Sequence, residues 1–200
     1  MVKLLDHVKA SDMNKKIKVA LVIPPTLDMG KMWCPNLPIG LAYLAAVLEK
    51  AGCELALIDC QALEIDHKAL GTKFASFMPD VIGITSVTPF IQSTLLAARV
   101  AKENCPSTPV VLGGPHATFM DSQILNEHPD VDIIVRGEGE ETFLNLLQKL
   151  AAQEDIDDVS GITYRKNGQV VRTPNRPFIQ NLHAIFATGF SVPDWKSNFL

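Results

Sequence analysis

The chain has 200 residues, 47% of them hydrophobic and 20% charged, with a formal net charge of −4. That length supports one domain with a sizeable core, and the acidic balance argues against nucleic-acid binding, which needs a basic footprint. No apolar run reaches the roughly 18–20 residues that cross a bilayer, so no transmembrane segment is expected. The opening "MVKLLDHVKASDMNKK" is too polar for a secretory signal, which makes a cytoplasmic location the expectation.

Residues 1–16 read as a polar N-terminal extension. "IKVALVI" (17–23) is a continuous apolar run, as expected of a strand covered on both faces. "PNLPIGLAYLAAVLEKAG" then predicts a helix, with Pro38 in its first turn and Gly52 at its end. "ELALIDC" (54–60) is a second strand, residues 66–77 form a weaker amphipathic helix, and "DVIGITS" (80–86) is a third strand. Thr88 is expected to cap the next helix, with Pro89 at its first position and an end near Asn104. "PVVLGG" is strand four, 118–127 a helix, "VDIIVRG" strand five, and "EETFLNLLQKLAAQ" the fifth helix.

Strands alternating with helices predict a doubly wound α/β domain: a five-stranded parallel sheet in flavodoxin-like order 2-1-3-4-5, three layers α/β/α. It is expected to span 17–156. "VSGITYRKNGQVVRTP" departs from that pattern, and its Asn167-Gly168 pair predicts a β-hairpin over 157–173. Residues 174–200 lack a period and carry three prolines, so they read as a linker or an arm.

The four cysteines, Cys34, Cys53, Cys60 and Cys105, are far apart and lack the clustered spacing of zinc or iron–sulfur sites. They are expected to be reduced and packed, and no metal site is expected from this chain alone.

In open α/β sheets, ligands bind outside the carboxyl ends of the strands, where strand order reverses. The loops concerned are "PPTLDMGKMWCPNLP", "TSVTP", "GGPHAT" and "RGEGEE". Gly113-Gly114 followed by Pro115 reads either as a tight turn or as bare backbone for close approach of a ligand. Thr85, Ser86 and Thr88 read as strand-end and capping residues or as hydroxyls lining the crevice. Glu140 and Glu141 fall in a first helical turn, where carboxylates favour the macrodipole. "GEGEET" has Thr142 where a dinucleotide fingerprint needs its last glycine, and His116 reads as a polar helix-entry residue or a ligand. A response regulator's acidic cluster and a flavodoxin's hydroxyl-rich phosphate loop are both missing.

"PNLPIGLAYLAAVLEKAG", "PDVIGITSVT", "VVLGGPHAT", "DIIVRGEGEETF" and "VSGITYRKNGQVV", in that order, resemble the N-terminal cobalamin-binding domain of B12-dependent radical S-adenosylmethionine (SAM) enzymes. The group that includes the anaerobic magnesium-protoporphyrin IX monomethyl ester cyclase and related methyltransferases is the most similar. The resemblance implies cobalamin as cofactor, its nucleotide tail lying on Gly113, Gly114, Pro115 and His116. Thr85, Ser86 and Thr88 would flank that tail, Gly137, Glu138, Gly139 and Glu140 would border it, and the Pro24-to-Leu37 loop would face the corrin.

Two departures from the family pattern matter. No histidine stands in the loop after strand one, so the resemblance implies a cofactor whose base is displaced without a histidine taking its place. The C-x-x-x-C-x-x-C cluster of the radical domain is also missing. S-adenosylmethionine and a 4Fe–4S cluster are therefore expected only in a downstream radical SAM domain of the same parent chain, towards which 174–200 would lead. No catalytic residue is expected in this chain, and 174–200 is expected to be poorly ordered, or to pack on the domain or on a neighbouring copy by self-association, in place of the absent domain. The competing reading is a cobalamin-free α/β scaffold for partner docking or small-molecule sensing.

Overall fold

The computed structural model describes residues 16–26 and 39–180. Its elements are β1 (Lys18–Ile23), α1 (Ile39–Lys50), β2 (Glu54–Asp59), α2 (His67–Phe77), β3 (Val81–Thr85), α3 (Ile91–Asn104), β4 (Val110–Gly113), α4 (Pro115–Phe119), α5 (Asp121–Glu127), β5 (Ile133–Val135), α6 (Glu140–Ala152), β6 (Ile162–Lys166) and β7 (Gln169–Arg172). One sheet takes the order β2-β1-β3-β4-β5-β6-β7. The first five strands are parallel and in the expected flavodoxin-like order, whereas β6 and β7 pair antiparallel. The hairpin thus continues the same sheet and covers the edge that β5 would otherwise expose.

Because side chains alternate across a strand, each parallel strand feeds two cores. Ala20, Val22, Ile82, Ile84, Val110, Leu112 and Ile134 pack beneath α2, α3, α4 and α5. Val19, Leu21, Val81, Val111, Ile133 and Val135 pack beneath α1 and α6, where Phe143, Leu146 and Leu150 close the layer. Burial on both faces is why β1 reads as an uninterrupted apolar run.

Local signals explain most boundaries. Asp66 accepts a hydrogen bond from Ala69 N at 2.8 Å and caps α2. Asn167 (φ 54°) and Gly168 (φ 80°) make the two-residue turn between Lys166 and Gln169, a conformation with two positive φ angles that Asn-Gly favours.

Two expectations are corrected. Thr88 does not cap a helix: Thr88–Phe90 form a 3-10 turn flanked by extended Val87, and α3 begins at Ile91. The Thr88 hydroxyl lies 3.1 Å from His116 Nδ1 instead. The single helix expected over 118–127 is two, α4 and α5, which break at Met120. The break lets Asp121 turn inward, where its Oδ2 accepts from Thr163 Oγ1 at 2.6 Å and from Arg172 Nε at 2.8 Å.

Arg136 completes that buried cluster. It donates to Ile162 O and Thr163 Oγ1, to Thr173 O at 2.6 Å and to Asn175 Oδ1 at 3.1 Å. Arg165 spans outward to the Leu125, His128 and Val131 carbonyls at the end of α5. The hairpin is therefore tied to the parallel sheet by guanidinium forks as well as by its strand ladder.

Candidate functional site

On the α1/α6 face of the sheet, Gly83 stands level with Leu21 and Val111, and the positions beyond are Thr85 and Gly113. Small residues there leave a cavity of about 260 Å³ at the carboxyl ends of β1, β3 and β4. Its walls are Leu41 and Leu44 of α1, Phe143 of α6, and Leu21, Val111 and Val135 of the sheet. Its rim is formed by Thr85, Gly113, Gly114, Pro115 and the Gly137–Glu140 loop. Drug-sized ligand sites run roughly 300–1,000 Å³, so this slot holds a ring system or one arm of a larger ligand.

The two glycines of the strand-four loop do different things. Gly114 has φ +93°, and a Cβ there would meet Ser86 O at 2.7 Å and Ser86 N at 3.0 Å. It serves the turn, where the chain crosses the end of β3. Gly113 has no such constraint: a Cβ there would meet only Val135 O, at 3.9 Å. Its bare backbone faces the slot.

Of the expected site residues, the slot gathers Thr85, Gly113, Gly114, Pro115, Gly137, Glu138, Gly139 and Glu140. Ser86, Thr88 and His116 stand outside the lining. Ser86 is fully buried, donates its N–H to Gly113 O at 2.8 Å and accepts from His116 N at 3.2 Å. Its hydroxyl has no partner among the described residues. Thr88 and His116 pair with each other along the same edge.

The sequence reading missed the slot's far wall. Leu41, Leu44 and Phe143 are indistinguishable from core residues in a helical period, and Gly40 reads as a helix-entry glycine. Gly83, a glycine inside a strand, was a usable signal of close approach. Thr118 was missed as well: its hydroxyl donates to Gly114 O at 2.9 Å and accepts from Gly137 N at 3.0 Å, tying the two glycine loops together.

The rim carboxylates are in different states. Glu138 Oε2 accepts from Ile179 N at 2.6 Å. Glu140 Oε2 is shielded from water and has no partner among the described residues. Burial, reinforced by the charges of Glu138 and Glu141, raises the Glu140 carboxyl above the usual glutamate range. Among the described residues, no group of three or more His, Cys, Asp or Glu side chains could hold a metal ion. Burial raises the half-buried Cys53 and Cys105 thiols and pushes the fully buried Cys60 up to about 12, so none of the three is an activated thiolate.

The loop that was expected to face the corrin begins at Pro24. Its first residues are pinned where Ser93 Oγ donates to Pro25 O and Gln61 Nε2 to Pro24 O at 3.4 Å. Residues 27–38, including Cys34, lie outside the described residues, as do 1–15 and 181–200. No described helix is long and apolar enough to cross a membrane.

Residues 35–147 match the B12-binding domain family. An uncharacterized methyltransferase of Pyrococcus horikoshii is 35% identical over 173 residues, covering 86% of this chain and 38% of that protein. The anaerobic magnesium-protoporphyrin IX monomethyl ester cyclase of Rubrivivax gelatinosus is 37% identical over 163 residues, covering 79% of this chain and 28% of that protein. The chain therefore spans well under half of either relative. Among solved structures, the radical S-adenosylmethionine methyltransferase TsrM of Kitasatospora setae, with cobalamin and a 4Fe–4S cluster bound, shares the fold. It superposes with a TM-score of 0.70 at 21% identity, covering 84% of this chain and 30% of that one.

Proposed function

The chain belongs to the B12-binding domain family, and from that premise we propose that its slot takes the nucleotide tail of cobalamin. The chain would act as the cofactor module of a longer radical SAM enzyme. The observation that carries this placement is Gly113, whose bare backbone opens on an apolar slot where a side chain would have room. The residues present fit such a group: apolar walls for a heteroaromatic ring, with the Thr85 hydroxyl and the Glu140 carboxyl among the lining for its polar atoms. A slot of about 260 Å³ is too small for a corrin, which would lie over the strand ends.

Cobalamin, when bound, supplies the methyl-carrying and one-electron chemistry of its cobalt. This chain's residues bind, orient and exclude water. Leu41, Leu44 and Phe143 remove a ring from solvent, Thr118 holds the two glycine loops at a fixed separation, and Ser93 fixes the start of the loop after β1. Methyl transfer or oxidative cyclisation, on a tetrapyrrole in the second case, is the reaction we assign to the parent. S-adenosylmethionine and the 4Fe–4S cluster would be held by the portion of the parent that this chain does not span.

Titration of the 200-residue chain with hydroxocobalamin tests the reading. A saturable change in the corrin absorption, with cofactor retained on desalting, is expected. A corrin band that washes off entirely would favour the scaffold alternative. With no histidine in the loop after β1, the bound cob(II)alamin is expected to show no nitrogen superhyperfine splitting in electron paramagnetic resonance. A clear triplet would overturn the base-displaced state.

A further inference from the structure

We propose that Glu140 reads the base of the cofactor's nucleotide tail: its unpartnered carboxyl oxygen hydrogen-bonds the free ring nitrogen of an azole base. The slot would then select cobamides with a benzimidazole or purine over those whose base is a phenol. The inference rests on the tail lying in the slot.

The slot's walls are hydrocarbon, so specificity has to come from its few polar groups. Glu138 already holds Ile179 N, and Thr118 is spent on Gly114 and Gly137. Glu140, the first residue of α6, is different. Glu140 lines the apolar slot, and its Oε2 is shielded from water without a partner among the described residues. A place at a helix start accounts for a carboxylate favoured by the macrodipole, but not for an oxygen left unsatisfied, which proteins rarely tolerate without a ligand.

Once an azole base leaves cobalt, its ring nitrogen is an acceptor with a free lone pair. A bond to Glu140 needs one proton between the two groups. The carboxyl is suited to hold it, because burial and the neighbouring Glu138 and Glu141 raise it; Arg176 approaches Glu141 at 3.7 Å on the outer side. A phenolic base has no such nitrogen.

Calorimetric titrations of the 200-residue chain with cobalamin, cobinamide (which lacks the nucleotide) and p-cresolylcobamide test this. Glu140→Ala is expected to weaken cobalamin about tenfold, the worth of one buried hydrogen bond, and p-cresolylcobamide by less than about twofold. Glu140→Gln, which keeps an N–H donor, is expected to hold cobalamin affinity. The wild-type affinity should fall as pH rises through the carboxyl's titration, while that of Glu140→Gln stays flat. Loss of both cobamides in parallel, or of neither, in a variant with an unchanged circular dichroism spectrum would overturn the inference. Should Glu140→Ala fail to fold, a pH profile shared by wild type and Glu140→Gln would overturn it instead. Equal wild-type affinity for cobalamin and cobinamide would overturn the placement of the tail itself.

Discussion

At the scale of single residues, the Gly113-Gly114 pair carries two jobs that one dipeptide cannot distinguish in sequence. Gly114 is held by φ +93° and by the Ser86 backbone, Gly113 by nothing in the protein. Gly114→Ala is therefore expected to cost about 1–3 kcal/mol of stability, the usual range for forcing a side chain into such a backbone. Gly113→Val should leave the denaturation midpoint nearly unchanged and weaken cobalamin binding tenfold or more. Urea melts and cofactor titrations on the same samples separate the two effects. Equal destabilisation by both substitutions would reduce the pair to a turn. The hydroxyls were legible in the same partial way: Thr85 and Ser86 stand at the end of β3 as their sequence position implies, but only the three-dimensional structure shows Ser86 turned out of the lining with its hydroxyl unpaired.

At the scale of elements, β6 and β7 depend on a buried charge cluster. Arg136 reaches four acceptors on β6 and on the chain after β7. Arg136→Met would leave buried carbonyls without a donor, and a loss of about 2–4 kcal/mol is expected. Hydrogen exchange should quicken in 162–172 before it does in β1 or β4; a uniform change across the sheet would contradict a local tether. Asp121 gives the cluster a pH signature. Burial alone would raise its carboxyl, but hydrogen bonds from Thr163 and Arg172 outweigh burial and hold it below the usual carboxylate range. Its folded value lies under its unfolded one, so the stabilisation is complete above about pH 4 and is lost as pH falls further. Asp121→Asn is expected to flatten that acid limb. None of this was legible beforehand, because Arg136, Asp121 and Arg172 are far apart in the chain and each reads as a surface charge.

At the scale of the whole molecule, the chain after β7 returns to the slot. Pro174 O accepts from Gly161 N at 2.7 Å, Arg176 Nη2 donates to Asn145 Oδ1 at 3.3 Å, and Ile179 N reaches Glu138 Oε2. The chain after β7 thus touches Glu138, a residue of the slot's rim. Phe178 beside it is 77% exposed. Phe186, Phe190 and Trp195 lie outside the described residues. We propose that Phe178 is covered by the downstream domain in the parent, and by a second copy when the chain is alone. Sedimentation across a dilution series should then show a dimer that weakens with dilution and with Phe178→Ser. A monomer at every concentration would overturn the self-association.

The sequence by itself determined the strands, most of the helices and the family, because these are written in local pattern. Apolar runs at strand length, helical periods between them and five ordered motifs need no knowledge of what touches what. The Asn-Gly turn belongs with them, since two positive φ angles are a property of two residues. Tertiary structure alone decided that the hairpin extends the sheet, that Thr88 pairs with His116 instead of capping a helix, and that Gly83, Thr85 and Gly113 open a void on one face. Those outcomes depend on which strand end lies beside which helix, and on where a side chain is missing from the space between them.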